Sequence, residues 1–192
     1  MHIISRTKSK IARSIGIISR FKDILPEKTL LTLYNTLVYP HLLYCNLVWG
    51  NTYRTKLHPL YLLQKRAIRI VTHSAFQAHT KPLFIKLKCL NIYDLILFDT
   101  WVLMYKCMNN LAPSSFSTIF IKTANLHTYN TRQNQNLYQP FARTNVSFNS
   151  FYVKGIKEWN SLDPDIKSSS TLTKFRKLSK NKLLTRSIQN HN

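Results

Sequence analysis

Twenty-eight lysines and arginines face only seven carboxylates in this 192-residue chain, so its chemistry is lopsided before any fold is considered. Asp23, Glu27, Asp94, Asp99, Glu158, Asp163 and Asp165 are the whole supply of acidic groups for metal binding or proton transfer. The closest pair, Asp163 and Asp165, flanks Pro164 and reads as a turn leading into a helix, with Asp as its cap. Two-metal phosphoryl transfer asks instead for carboxylates converging from a rigid platform. Among the histidines, His73 and His79 form the one near pair, and no further ligands stand at zinc spacing. Cys45, Cys89 and Cys107 are odd in number, far apart and set among apolar residues, as buried free thiols are. The sequence therefore predicts no catalytic residue, no metal site and no disulfide framework.

The cations, by contrast, are patterned. In "LYLLQKRAIRIV", Leu60 to Val71, a helical advance of about 100° per residue puts Lys65, Arg66 and Arg69 on one face. Leu63, Ala67, Ile68, Ile70 and Val71 spread over the other side, so one face is built to pack and one to meet anions or simply water. Ile3 to Phe21 repeats the design: Ile4, Ile11, Ile15 and Ile18 fall in a narrow arc, with Arg6, Lys10, Arg13 and Arg20 opposite. The closing segment "TLTKFRKLSKNKLLTRS" forms a final basic helix. A net charge of +21 repels itself unless a polyanion is present, and nucleic acid is the partner that such a balance favours. A ribonucleoprotein component, or a surface that meets anionic lipid, would carry a similar charge.

Each basic stripe needs an apolar scaffold behind it, and a hydrophobic content of 44% supplies one sizeable core or two small ones. Pro26 opens a helix that reaches Pro40, where a kink or break is expected. "HLLYCNLVWG" then resumes as a mostly buried helix capped by Gly50, which makes Tyr34, Tyr39, Tyr44 and Trp49 a core stripe. "NTYRTKLHP" reads as a connection to the Leu60 helix, Tyr53 and the later Tyr129 as the better base-stacking candidates, and Thr80 with Pro82 as a capped helix start. A longer helix runs from Ile92 to Met108; Asp94 and Asp99 interrupt its apolar surface, so it reads as a core helix rather than a membrane span. The N-terminus lacks the continuous apolar core of a secretory signal. Beyond Thr123 the texture turns polar, reading as an extended arm or short strands with Arg132 and Arg143, before "FYVKGIKEWNSL" returns to a helical pattern.

Several phrases stand together in order: "KIARSIGIISRFKDILPEKTLLTLYNTLVYPHLLYCNLVWG", "LQKRAIRIV", "HTKPLFIKLKCLNIYDL", "YNTR", "RTN", "GIKEWNSL", "DIK" and "FRKLSKNKLL". This set resembles the C-terminal part of reverse transcriptases from non-LTR (LINE-like, jockey-type) retrotransposons, over nearly the whole chain. The resemblance implies the helical thumb and post-thumb extension that follow the palm of these RNA-directed DNA polymerases. The family's Tyr-x-Asp-Asp or Phe-x-Asp-Asp pair does not occur here, so the chain by itself is expected not to be an enzyme. Where the family commonly has Trp-Asn-x-Leu-Pro, this chain has Trp159, Asn160, Ser161, Leu162, Asp163 and only then Pro164.

The fold expected is mainly α: a thumb-like helical bundle over residues 1–75, post-thumb helices over 76–122, and a polar arm with C-terminal basic helices over 123–192. A thumb holds a template–primer duplex by its sugar-phosphate backbone, which makes Lys65, Arg66 and Arg69 the first candidates for contact. Lys10, Arg13 and Arg20 are a second set, Lys174, Arg176, Lys177 and Lys180 a third, and Arg132 and Arg143 lie on the arm. Trp159 is expected to anchor the C-terminal extension on the thumb helices. The expected partner is an RNA/DNA template–primer or another nucleic acid, with no membrane, small-molecule substrate or cofactor; the family's Mg2+ belongs to its palm. Self-association through Leu31, Leu37 and Val38 and an intracellular location, in the nucleus or a cytoplasmic ribonucleoprotein, complete the expectation. Two other readings share these features: a host-adopted basic nucleic-acid-binding or annealing protein, and a functionless translated remnant of a 5′-truncated element.

Overall fold

The computed structural model describes residues 2–126 and 135–189, which are mainly helical and contain no named strand. They divide into two compact units, one running to Ile96 and taken up again from Lys182, the other from Leu97 to Asn181.

In the first unit, α1 (His2–Arg20) buries Ile11, Ile15 and Ile18 at helical spacing and turns its basic residues outward. Then come α2 (Glu27–Leu37), α3 (Tyr39–Leu43), α4 (Asn46–Trp49), α5 (Arg54–Val71) and α6 (Thr80–Lys86), and α7 (Ile92–Met108) begins here. α1 packs chiefly on α5, and α2 lies against both. The chain breaks at Val38 and takes Pro40 into the first turn of α3, where a missing N–H is harmless.

Three local expectations are corrected. The segment after Pro40 is not one helix: Cys45 adopts φ 50 and α4 is a single turn. Trp49 Nε1 donates to Tyr44 O at 2.7 Å across that turn. The aromatic stripe is therefore split, with Tyr34 and Trp49 buried but Tyr44 75% exposed. α5 starts at Arg54 rather than Leu60, with Pro59 inside it. Pro59 is the sixth residue of α5, past the amides that lack an intrahelical acceptor, so it forfeits one helical bond, while Leu57, Leu60, Gln64, Ala67, Ile68 and Val71 gain a continuous buried face. Thr80 is not a cap, because it is buried one residue inside α6; the side-chain cap belongs to α7, where Asn91 Oδ1 accepts from the amides of Tyr93 (3.0 Å) and Asp94 (3.2 Å).

Gln64 ties this core together. Its side chain is fully buried; Nε2 donates to Tyr34 Oη at 2.9 Å and to Leu90 O at 3.0 Å, and Oε1 accepts from Ile92 N at 2.8 Å. Burial pushes the Tyr34 phenol far above its usual range, so it stays a neutral hydroxyl.

Gly16 and Gly155 lie inside helices and Gly50, which caps α4, is right-handed, so the left-handed helix stops here are made without glycine. After α5, His73 sits at φ 50, with Ser74 N bonded to Arg69 O at 3.0 Å and His73 N to Ile70 O at 3.2 Å. After α6, Lys88 at φ 51 repeats the pattern through Cys89 N to Phe84 O and Lys88 N to Ile85 O. This is the left-handed helix stop usually made by glycine, whose absence costs a side-chain-bearing residue about 1–2 kcal/mol. Lys88→Gly is therefore expected to stabilise the unit by about 0.5–1 kcal/mol after the extra freedom of an unfolded glycine is deducted, read as a raised urea midpoint with an unchanged slope.

The second unit holds the rest of α7, α8 (Ser114–Ser117), a 3-10 turn (Thr123–Asn125), α9 (Asn145–Phe148), α10 (Phe151–Asn160), α11 (Pro164–Lys167) and the start of α12 (Leu172–Gln189). Phe175 of α12 is fully buried, stacked on Tyr105 with ring centroids 4.3 Å apart and 6.2 Å from Trp159. Tyr105 Oη donates to Ser169 O at 2.6 Å. Trp159 thus anchors α12 inside its own unit. The polar arm closes on itself: Lys122 and Leu137 form an antiparallel bridge, and Asn160 clamps Leu137 by donating to its carbonyl at 2.8 Å and accepting from its amide at 2.9 Å. Asp163 precedes α11 without making a side-chain capping bond. Exposed apolar surface is also placed differently from expectation: Val38 is buried and Leu31 and Leu37 half-buried, whereas Ile3, Tyr44 and Val48 in this first unit stand out.

Candidate nucleic-acid interface

Arg6, Lys10 and Arg13 of α1 lie along a shallow groove of about 450 Å³ that Ser5 and Ser9 also line. Arg6, Lys10 and Arg13 are all exposed, and a helical rise of 1.5 Å per residue sets them about 6 and 4.5 Å apart along the axis. Behind them the buried isoleucines fix the helix, so the row is held on a rigid rod. Arg6 belongs to this row as fully as Lys10 and Arg13; its place is legible in the same helical phase. Arg20 is exposed about two turns beyond the groove, at the end of α1.

On α5 the three candidates part company. Arg66 is exposed. Lys65 is half-buried with its ammonium 5.4 Å from the Tyr61 ring, an i, i+4 cation–π contact. Arg69 is half-buried, donates from Nε to Ala78 O at 2.9 Å and lies 5.9 Å from the centre of the Phe76 ring. Its guanidinium therefore holds the loop after α5 as well as facing outward. Tyr53 is exposed, with Lys56 Nζ 5.5 Å from its ring, and Tyr129 lies outside the described residues.

In the second unit Lys174, Arg176, Lys177 and Lys180 are exposed on α12 around the buried Phe175. Arg143 is exposed on the arm, and Arg132 lies outside the described residues. Lys154 is of a different kind, since burial lowers its pKa with Glu158 partly opposing. Asn160, which fixes the arm, was not singled out from the sequence, and its partner Leu137 is too distant along the chain for any local pattern to reveal it.

No family model, curated protein or solved structure matches this chain. Ion pairs join Lys86 to Glu27 at 2.6 Å and Lys22 to Asp23 at 3.9 Å, yet if every carboxylate took one cation, 21 positive charges would remain. Among the described residues no three His, Cys, Asp or Glu side chains cluster as a metal site, and no helix is long and apolar enough to cross a membrane. Exposed cations on stiff helices attract phosphates, and their regular spacing suits a backbone rather than base edges.

Proposed function

We propose that this chain binds nucleic-acid backbone without reading base sequence, as the thumb and post-thumb part of a non-LTR retrotransposon reverse transcriptase that grips an RNA/DNA template–primer. The observation that carries the binding is the exposed row Arg6, Lys10 and Arg13 on a helix whose opposite face is buried. The family reading rests on the ordered phrases of the sequence, from "KIARSIGIISRF" to "FRKLSKNKLL". A hybrid duplex offers a wide, shallow minor groove and two phosphate rails, which basic helices recognise by shape and charge. DNA synthesis would require the Asp-Asp pair of the family's palm, which these 192 residues do not contain.

Fluorescence anisotropy on an RNA/DNA hybrid tests the reading. With about six to ten phosphate contacts, affinity is expected to fall by roughly 10³–10⁵ between 50 and 200 mM salt, and to be the same for a hybrid of scrambled sequence. Affinity that barely responds to salt, or that follows base sequence, would overturn it.

A further inference from the structure

Where α1 and α5 end side by side in the first unit, a cleft of about 240 Å³ opens between them. Lys22, Arg66, Arg69 and His73 line it, with Asp23 as its one carboxylate and Ser74 among the remaining lining residues. We propose that this cleft takes a phosphate monoester, the terminal phosphate of a nucleic-acid strand, while the groove along α1 meets internal phosphodiesters. The proposal rests on the nucleic-acid reading above and adds to it a site for the strand end.

Three observations carry it. The first is charge: three permanent cations and an imidazole donor stand against one carboxylate, and Lys22 and Asp23 are 3.9 Å apart and largely exposed, a loose pair. A monoester carries up to two negative charges, and an internal phosphodiester carries one. The second is shape. An internal phosphate has a sugar on either side and rides on the convex edge of a duplex. A terminal phosphate has one substituent and can enter a concave site, and the cleft has room for a group several times the size of a water, whose share of liquid volume is about 30 Å³.

The third is preorganisation. Arg69 is already held by Ala78 O and by the face of Phe76. His73 stands exposed at the left-handed stop that ends α5, and the Ser74 hydroxyl is held 2.8 Å from Thr72 Oγ1. A guanidinium that needs no reordering loses less entropy on binding. The carbonyl ends of α1 and α5 also meet here, and their partial negative charge supplies a purely structural reason for cations at this place; the experiment separates the two.

NMR of the His73 ring is followed as the full chain is titrated with methyl phosphate and, separately, with dimethyl phosphate. Saturable shifts with methyl phosphate and none with dimethyl phosphate are expected. Anisotropy then compares one single-stranded sequence bearing a 5′-phosphate, a 3′-phosphate or hydroxyls at both ends. A phosphorylated end is expected to bind at least about tenfold more tightly, and the better end identifies the strand polarity. Lys22→Ala and His73→Asn, the latter tolerant of a left-handed backbone, are expected to abolish that preference and to leave binding of the hydroxyl-ended strand within about twofold.

Equal affinity for all three strands overturns the strand-end assignment and leaves the nucleic-acid reading standing. A methyl phosphate response without any oligonucleotide binding supports the cleft and overturns that reading instead. No methyl phosphate response, with Lys22→Ala lowering only the melting temperature, reduces the cations to partners of the helix ends and overturns the cleft.

Discussion

Gln64→Ala is expected to destabilise the first unit by about 4 kcal/mol. The substitution leaves Leu90 O, Ile92 N and Tyr34 Oη without their partner in a site from which water is excluded. Each unpaired buried group costs about 1–3 kcal/mol, and the emptied volume adds a cavity term. Gln64→Met keeps the volume and isolates the polar part, so it should recover only a minor share of the loss. Tyr34→Phe removes one bond and should cost about 1 kcal/mol. Urea unfolding followed by circular dichroism reads all three, and amide exchange at Ile92 should rise in both Gln64 variants. A loss below about 1 kcal/mol for Gln64→Ala would mean that the three hydrogen bonds do not hold α2, α5 and the start of α7 together.

Replacing Arg6, Lys10 and Arg13 together by alanine is expected to weaken hybrid-duplex binding by about five-hundredfold at 0.1 M salt. Each phosphate contact contributes about 0.9 to the slope of log affinity against log salt, which at 0.1 M corresponds to about eightfold in affinity. Three contacts therefore multiply to that figure, and the slope should flatten by about 2.7. All three side chains are exposed and the buried isoleucines are untouched, so the far-ultraviolet spectrum and the melting temperature should change little. The loss should be equal for every base sequence, because contacts to phosphate carry no sequence information. A loss under about threefold would remove α1 from the interface. The same substitutions leave Lys22 and His73 in place, so the strand-end cleft and the duplex grip can fail independently.

The two faces of α1 could be read from the sequence, with Ile4 of the expected apolar arc only half-buried, and the reason is local. A helix on the surface writes its phase into residues three and four apart, and Ile11, Ile15 and Ile18 are buried as that phase requires. The bounds of α7, Ile92–Met108, and the break before Pro40 were legible on the same ground, since periodicity and proline act within one or two turns. Gly50 does cap α4, as its position suggests, but for a reason the sequence does not carry: its backbone is right-handed at φ −79, and an added Cβ would strike Asn46 O and, 2.7 Å away, Ile96 Cδ1. The left-handed stops fall on His73, Lys88 and Asn110; asparagine and, less strongly, histidine are types that tolerate this backbone, whereas Lys88 carries no such signal.

Composition and periodicity alone determined that this is a mainly helical, strongly basic chain, because charge is a sum and a helical stripe is a short-range pattern. Which cation does what was decided by tertiary structure. Lys65, Arg66 and Arg69 look equivalent in the sequence, but only Arg66 stays exposed, and Arg69 is drawn to a carbonyl nine residues on. Gln64, one position before that stripe, reads as another polar surface residue and becomes the hub of the core through groups 26 to 30 residues away. Asn160 fixes the arm through Leu137, 23 residues earlier. Buried polar groups must find partners wherever the fold brings them, and those partners are set by packing at long range, which no local spacing records.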